Sequence, residues 1–248
     1  MLEVQGANLS YGGVRAVNDV SLRVEAGKIV GLIGTNGAGK TSLFNVISGF
    51  VRSDSGRIAF EGKDISRTDP SEIALSGLMR TFQTPVGFPR MTVLENMMVF
   101  SRPEKTLRQR IFGPAVADKA VIDEALIRLD AFGLSARANH WAQDLSAPEL
   151  KMLEFARAMM AKPRLLMLDE PAAGVNPAML DSLAARIRDM RDEGITFLVV
   201  DHNLKFICDV CEEIYAMADG KVIAHGTPQE VTANKAVIEL YIGSQAAS

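Results

Sequence analysis

An eight-residue segment with the pattern G-x-x-x-x-G-K-[ST] constrains this chain more than any other feature. It reads Gly34-Thr35-Asn36-Gly37-Ala38-Gly39-Lys40-Thr41. The apolar run Ile29–Ile33 precedes it and predicts a buried strand, whereas residues 42–47 follow it and predict a helix. Glycines permit a tight turn whose N–H groups face one anion, and a helix N-terminus adds positive charge. The order strand, glycine loop and helix therefore predicts a phosphate-binding loop rather than a turn with a chance lysine.

Several positions in and near this segment predict contacts with a nucleotide. Lys40 is expected to reach the β- and γ-phosphates, and the Thr41 hydroxyl is a ligand for Mg²⁺. Tyr11 lies just before the first core strands, where an aromatic ring can stack on a purine, although a turn aromatic without a ligand explains it equally well. The residues expected to bind the nucleotide are Tyr11, Gly34, Thr35, Asn36, Gly37, Ala38, Gly39, Lys40, Thr41 and Ser42.

Composition and charge limit the classes of protein to consider. Of 248 residues, 48% are hydrophobic and 23% charged, which is usual for a globular protein. The net charge of −3 argues against a nucleic-acid-binding surface. No apolar run approaches the roughly 20 residues that span a bilayer, and the N-terminus lacks the basic and apolar regions of a signal peptide. We expect a soluble, cytoplasmic protein that meets a membrane only through partners.

Two carboxylates follow a second apolar run. Residues 164–168 predict a buried strand, and Asp169 and Glu170 come directly after it. In an open α/β sheet, ligands bind at the carboxyl ends of the strands. We therefore expect Asp169 to hold Mg²⁺ directly or through water, and Glu170 to orient a water molecule for attack on the γ-phosphate. Solvated acids that cap a strand are the alternative.

Two further polar residues stand in comparable positions. His202 follows an apolar strand predicted over 195–200, where it can bond the γ-phosphate or hold Glu170 and the attacking water in line. Gln83 ends a short strand predicted over 78–82, and its side chain can sense both Mg²⁺ and the γ-phosphate. The predicted catalytic residues are Lys40, Gln83, Glu170 and His202, and the predicted metal ligands are Thr41, Gln83 and Asp169.

Between these motifs the pattern of the sequence changes from alternating strands and helices to a helical one. Residues 85–144 begin with prolines and glycines and continue with helical spacing, and a further helix is predicted over 149–160. Alternating strands and helices lie on both sides. We therefore predict one α/β domain over 1–248 with a helical subdomain inserted at 85–160. Cys208 and Cys211 share one face of a helix predicted over 204–211, where packing explains them better than a metal or redox site.

The motifs, taken in order, resemble those of the ATP-binding cassette (ABC) ATPases of membrane transporters. They are the aromatic Tyr11, the phosphate loop, Gln83, the helical insert, Leu145-Ser146, Leu168-Asp169-Glu170 and His202. The resemblance covers essentially the whole chain. It implies a P-loop NTPase fold with a mostly parallel sheet, an N-terminal antiparallel β subdomain and the inserted helical subdomain. It also implies that the nucleotide is ATP with Mg²⁺ and that the chain hydrolyses it.

The resemblance implies partners as well. In this family two cassettes dimerise head to tail, and each ATP lies between the phosphate loop of one and the signature segment of the other. Ser146 of this chain would therefore bind, in trans, the ATP that its partner holds. Integral membrane permease subunits, and through them a solute-binding protein, are the other implied partners. They would place the chain at the inner face of the cell membrane.

Within the family, several segments are similar to the ATPase subunits of branched-chain (hydrophobic) amino acid importers. They are residues 80–85, the long insert, 170–177 and the tail from 225–228 through 241–243. The long gap between Gln83 and Ser146 favours the larger of that branch's two ATPase types. Importers of urea, amides or aromatic acids are the open alternatives for the transported solute.

The signature segment departs from the family's usual Leu-Ser-Gly-Gly-Gln. It reads Leu145-Ser146-Ala147-Pro148-Glu149. Pro148 stands where the family uses a glycine N–H toward the partner's γ-phosphate, and proline has no N–H. Glu149 adds negative charge there and forms capping-box spacing with Ser146. We therefore predict a heterodimer with one good ATP site, built on the Lys40 loop, and one impaired site; a homodimer would have two impaired sites.

Two other functions fit parts of the sequence. A regulatory subunit that binds ATP but hydrolyses it weakly fits the altered signature, although intact Glu170 and His202 argue against it. A cassette protein that acts on ribosomes or DNA fits the motifs, but such chains usually join two cassettes or carry coiled-coil inserts. A small GTPase is not favoured, because no Asn-Lys-x-Asp segment occurs.

Overall fold

A computed structural model describes residues 1–81, 87–101 and 119–245 of the protein. The chain divides into two compact units, one formed by Met1–Gln83 with Arg164–Ser248 and the other by Thr84–Pro163. The second unit is one continuous segment, and the helical subdomain predicted over 85–160 falls inside its bounds. Gln83, for which the sequence predicts a role in catalysis and metal binding, lies outside the described residues.

An antiparallel sheet of four strands lies at the start of the first unit. Its strands are β1 (Leu2–Tyr11), β2 (Val14–Val24), β4 (Ser55–Phe60) and β5 (Lys63–Asp64), in the order β2-β1-β4-β5. The antiparallel subdomain is thereby confirmed. Main-chain pairing of β1 with β2 continues to Tyr11 and Val14, beyond the alternation of apolar side chains.

A second sheet of six strands carries the phosphate loop. Its strands are β3 (Ile29–Ile33), β6 (Leu78–Arg80), β7 (Leu165–Asp169), β8 (Thr196–Val200), β9 (Glu213–Ala218) and β10 (Lys221–Gly226). They lie in the order β10-β9-β3-β8-β7-β6, and every neighbouring pair is parallel except β9 with β10. Every residue of β3, β7 and β8 is buried, as their continuous apolar runs predict. The predicted α/β fold with a mostly parallel sheet is confirmed.

The helices of the first unit connect these strands. They are α1 (Lys40–Ile47), α2 (Pro70–Leu75), α6 (Pro177–Asp192), α7 (Leu204–Val210), α8 (Pro228–Thr232) and α9 (Lys235–Gln245). The helix predicted over 204–211 ends one residue early, so Cys211 lies just beyond α7. Both cysteines are free thiols, and burial strongly raises the pKa of Cys211. These features agree with packing as the role of Cys211.

The second unit is helical where the structure describes it. It contains α3 (Val93–Val99), α4 (Lys119–Ala131) and α5 (Ala147–Met160). The helix predicted over 149–160 begins two residues earlier, because Ser146 has extended backbone and caps the helix from outside. Within the helical spacing of 85–144, residues 102–118 lie outside the described residues, and α4 extends to Ala131.

Over 1–81, 87–101 and 119–245, none of the helices is both long and apolar enough to span a membrane.

Candidate functional site

The sheet order brings three sequence motifs to one edge. β8 lies between β3 and β7, and all three strands run in the same direction. The phosphate loop follows β3, Asp169 ends β7, and His202 follows the end of β8. Because the carboxyl ends of parallel strands share an edge, residues that are far apart in the sequence meet there.

The phosphate loop closes around the ammonium group of Lys40. Its Nζ atom donates to the carbonyl oxygens of Gly34 at 2.7 Å and of Thr35 at 3.0 Å. Burial lowers the pKa of Lys40, while the nearby Glu170 and Asp169 carboxylates act in the opposite direction. The two carbonyl bonds place the ammonium group at the loop, where an incoming phosphate would offset its desolvation.

Two neighbouring segments support the loop from outside. The N–H of Gly220, in the turn between β9 and β10, donates to the Ala38 carbonyl at 3.1 Å. The Gly220 carbonyl accepts from the Asn18 N–H of β2 at 2.8 Å. Gly39 has φ +98°, and a Cβ atom there would lie 2.1 Å from the Ala16 carbonyl oxygen. Only glycine fits at this close approach between the loop and β2.

A cavity of about 370 Å³ opens over the loop. The described residues that line it are Val14, Arg15, Ala16, Asn36, Gly37, Ala38, Gly39, Lys40, Thr41, Ser42, Glu170 and Asp219. The structure thus brings Glu170 to the predicted phosphate-binding residues. Arg15 and Asp219 were not predicted, since only the fold places the two hairpins at the loop. Tyr11 ends β1 with 49% of its surface exposed and is not among the lining residues, so its stacking on a purine stays a prediction.

Glu170 and His202 form a pair at this edge. His202 Nδ1 lies 3.3 Å from Glu170 Oε1, and the Glu170 side chain is 17% exposed against 55% for His202. The Glu170 N–H donates to the Val200 carbonyl at 2.8 Å, which ties the residue to the end of β8. A carboxylate oriented by an imidazole beside a phosphate loop can position a water molecule for in-line attack.

Asp201 supports both members of this pair, a role that the sequence did not indicate. Its Oδ2 atom accepts from the Ala172 N–H at 2.8 Å, and its Oδ1 atom accepts from the Asn203 N–H at 2.9 Å. The residue is 1% exposed. One buried carboxylate therefore joins the segment after Glu170 to the segment after His202.

Asp169 has a partner that sequence reasoning also missed. Arg80 Nη2 donates to Asp169 Oδ2 at 2.6 Å, and both side chains are buried. The Asp169 carboxylate and the Thr41 hydroxyl supply the oxygen ligands that suit Mg²⁺, which usually takes one or two protein ligands and completes its shell with phosphates and water. The residues present therefore fit a metal that arrives with a nucleotide.

The signature segment in the second unit forms a closed local network. Both the N–H and the hydroxyl of Ser146 donate to Glu149 Oε2, at 2.8 and 2.7 Å. Arg137 Nε donates to the other oxygen of Glu149 at 2.9 Å. The hydrogen bonds from Ser146, with Arg137 beside them, lower the pKa of Glu149, so the carboxylate is charged at neutral pH. The Ser146 hydroxyl proton is thus already engaged with a negative group.

Comparisons with known sequences identify similar proteins over nearly the full chain. Residues 17–173 match the ABC transporter family, and residues 221–247 match the family described as branched-chain amino acid ATP-binding cassette transporter. A probable branched-chain amino acid transport ATP-binding protein LivG of Archaeoglobus fulgidus is 40% identical over 99% of this chain and 96% of its own length. The high-affinity branched-chain amino acid transport ATP-binding protein LivG of Escherichia coli K12 is 36% identical over 98% of each chain.

A solved structure shares the fold over nearly the full length of the chain. The ADP conformation of an ATP-binding cassette of an ABC transporter matches with a TM-score of 0.87 and 33% identity. The match covers 98% of each chain. The match therefore includes the residues of both units, since so little of either chain lies outside it.

Proposed function

The chain belongs to the ABC transporter ATP-binding family, and from that premise we propose that it is the ATP-hydrolysing subunit of a branched-chain amino acid importer. The observation that carries the proposal is the convergence of the Lys40 loop, Asp169, Glu170 and His202 at one edge of the parallel sheet. The similarity of the relatives named for branched-chain amino acid transport supports the choice of solute.

Each residue at this edge has a distinct task in the proposed reaction. Lys40 neutralises the β- and γ-phosphates, and the loop N–H groups bind their oxygens. Glu170 orients the attacking water and accepts its proton, while His202 holds Glu170 in place across 3.3 Å. Thr41 and Asp169 would hold Mg²⁺, which would neutralise charge on the phosphates when bound. Tyr11 is assigned to stacking on the adenine, and Gln83, which lies outside the described residues, to sensing Mg²⁺ and the γ-phosphate.

We further assign the chain to a heterodimer with unequal ATP sites. Ser146 can bind a partner's phosphate only after its hydroxyl leaves Glu149, and Glu149 keeps its negative charge. Pro148 has no N–H to offer. The same network favours weak hydrolysis at the partner's site, whereas the Lys40 site of this chain faces the partner's signature and is complete in its own residues. A regulatory role would require that Glu170 also be ineffective.

The membrane subunits are proposed to dock on the second unit. A cavity of about 540 Å³ is lined there by Arg90, Met91, Glu95, Met98, Val99 and Trp141. Trp141 and Val99 are 48% and 50% exposed, which is unusual for large apolar side chains. Phe88 and Met91 of the same unit are partly exposed as well, whereas Val93 is fully buried and packs within the unit.

The transported solute can be tested on the assembled importer. We expect ATP hydrolysis by the complex in membranes to rise when its solute-binding protein carries leucine, isoleucine or valine, because solute loading drives closure of the two cassettes. Phosphate release is the measurement. Stimulation by urea, an amide or an aromatic acid instead of the branched-chain amino acids would overturn the solute assignment and leave the ATPase assignment intact.

The unequal sites can be tested by restoring the signature. Replacing Ala147, Pro148 and Glu149 with Gly, Gly and Gln returns the missing N–H and removes the carboxylate that engages Ser146. We expect turnover by the complex to rise several-fold, since one oriented phosphate contact is worth about tenfold or more in rate. Phosphate release from the complex is measured with and without a partner whose catalytic carboxylate has been replaced.

The control separates the two sites. With the partner's carboxylate replaced, the restored signature should give no gain, because the gain arises at the partner's ATP. The single variant Glu239→Gln, on an exposed face of α9, should leave turnover unchanged. No gain in the intact complex would contradict the proposal that the present signature is an impaired clamp.

A further inference from the structure

We propose that Arg80 is a positioning residue for the magnesium site. Arg80 holds one carboxylate oxygen of Asp169 and leaves the other oxygen for the metal. This inference rests on the proposed Mg²⁺–ATP chemistry of the same edge. Arg80 bonds the Asp169 carboxylate directly, and it also donates to the side chains of Asn45 and Ser48. It therefore acts through Asp169.

The contact between Arg80 and Asp169 is short and buried. Nη2 lies 2.6 Å from Oδ2, and the two side chains are 8% and 9% exposed. A charge-assisted bond of this length restrains the rotamer of the carboxylate. Among the residues that the structure describes, the Oδ1 atom of Asp169 accepts no hydrogen bond. One oxygen is thus fixed and the other is available as a ligand.

Arg80 is itself held by the helix that begins at Lys40. Its Nη1 atom donates to Asn45 Oδ1 at 2.7 Å, and Ser48 Oγ lies at 3.4 Å from the same atom. The guanidinium carbon lies 5.5 Å from the centre of the Phe44 ring. A planar fork with partners on three sides is rigid, so α1 and the metal carboxylate are joined through one side chain.

The backbone sets this fork against β7. Arg80 pairs with Met167 across the parallel strands β6 and β7, and the Thr81 N–H donates to the Met167 carbonyl at 2.9 Å. Asp169 lies two residues further along β7. The short strand β6 forms the edge of the sheet, and it also places Arg80 beside the carboxyl end of β7.

The alternative is that Arg80 is mobile and leaves Asp169 when the metal binds. Such a cation competes with Mg²⁺ for the carboxylate, so its removal would strengthen metal binding. A positioning arginine orients the ligand, so its removal weakens metal binding. The contacts with Asn45, Ser48 and Phe44 favour the second case, because they fix Arg80 independently of Asp169.

The test measures metal affinity rather than turnover. Mn²⁺ is titrated by electron paramagnetic resonance into the full chain saturated with a non-hydrolysable ATP analogue, and binding of the metal-free analogue is measured separately. For Arg80→Gln we expect Mn²⁺ affinity to fall by about 10- to 100-fold, as for other outer-shell partners of metal ligands. Binding of the metal-free analogue should be unchanged, because the loop and Lys40 are intact.

Two further variants make the result decisive. Asn45→Ala should lower Mn²⁺ affinity in the same direction by a smaller factor, and it carries the test if Arg80→Gln does not fold. Arg164→Gln is the matched control, since Arg164 also pairs with a carboxylate, that of Glu61, and lies over a phenylalanine ring, and its Mn²⁺ affinity should not change.

Three results would overturn the assignment. They are unchanged Mn²⁺ affinity, tighter Mn²⁺ binding, and an equal loss of metal-free analogue binding in Arg80→Gln or, if that variant does not fold, in Asn45→Ala. If the unaltered chain binds no analogue, the nucleotide site itself is refuted, and the role of Arg80 with it.

Discussion

Replacing Glu170 with glutamine should lower ATP hydrolysis by at least about 100-fold while ATP binding persists. Glutamine has the same shape but does not accept the proton of the attacking water. Glu170 lines the phosphate cavity and lies 3.3 Å from His202, and it supplies the carboxylate of this pair. Phosphate release by the purified complex and nucleotide binding by fluorescence titration measure the two effects.

The same substitution distinguishes the two sites of the proposed heterodimer. The matching change in the partner's catalytic carboxylate should cost much less, because that site relies on the impaired Ser146 segment of this chain. Equal losses from the two changes would refute unequal sites. Turnover that survives Glu170→Gln would refute the catalytic assignment itself, and Glu239→Gln again serves as the exposed control.

Replacing Gly39 with alanine should destabilise the protein by about 2–5 kcal/mol and abolish nucleotide binding. Gly39 has φ +98°, and the added Cβ would meet the Ala16 carbonyl oxygen at 2.1 Å. Backbone cannot yield as a flexible side chain does, so the loop must move away from β2. Urea unfolding and titration with a fluorescent ATP analogue measure the two losses.

Gly37 provides a control in the same loop. Its φ is +82°, but a Cβ atom there meets no atom within 4 Å. Gly37→Ala should therefore cost only the left-handed backbone strain, about 1–2 kcal/mol. If the two variants lose the same stability, the close approach of Gly39 to β2 does not explain the requirement for glycine.

The sequence predicted the main strands of the site because their signals are local. Ile29–Ile33 is a continuous apolar run followed at once by its motif, and the end of β8 before His202 follows the same rule. Asp169 also comes directly after apolar residues, although the structure includes it in β7. Short-range patterns therefore sufficed for the strands and for the predicted chemistry at their ends.

The partners of these residues could not be predicted in the same way. Arg80 meets Asp169 only because β6 pairs with β7 at the edge of the sheet, and a strand of three residues carries almost no periodicity. Asp201 was visible beside His202, but its bond to Ala172 depends on the spacing of two strands. Val93 is fully buried and Val99 is half exposed in the same helix. Apolar spacing alone does not separate the buried face of a helix from an exposed one.

The bond between Gly220 and Ala38 has a thermodynamic consequence for affinity. A glycine-rich loop that closed only around its ligand would lose conformational entropy at each binding event, about 1–2 kcal/mol for each residue ordered. Here the Gly220 N–H at 3.1 Å and the Asn18 N–H at 2.8 Å order the loop when the chain folds. Folding stability and nucleotide affinity therefore share these two bonds, and a change in the last hairpin of the sheet would alter both.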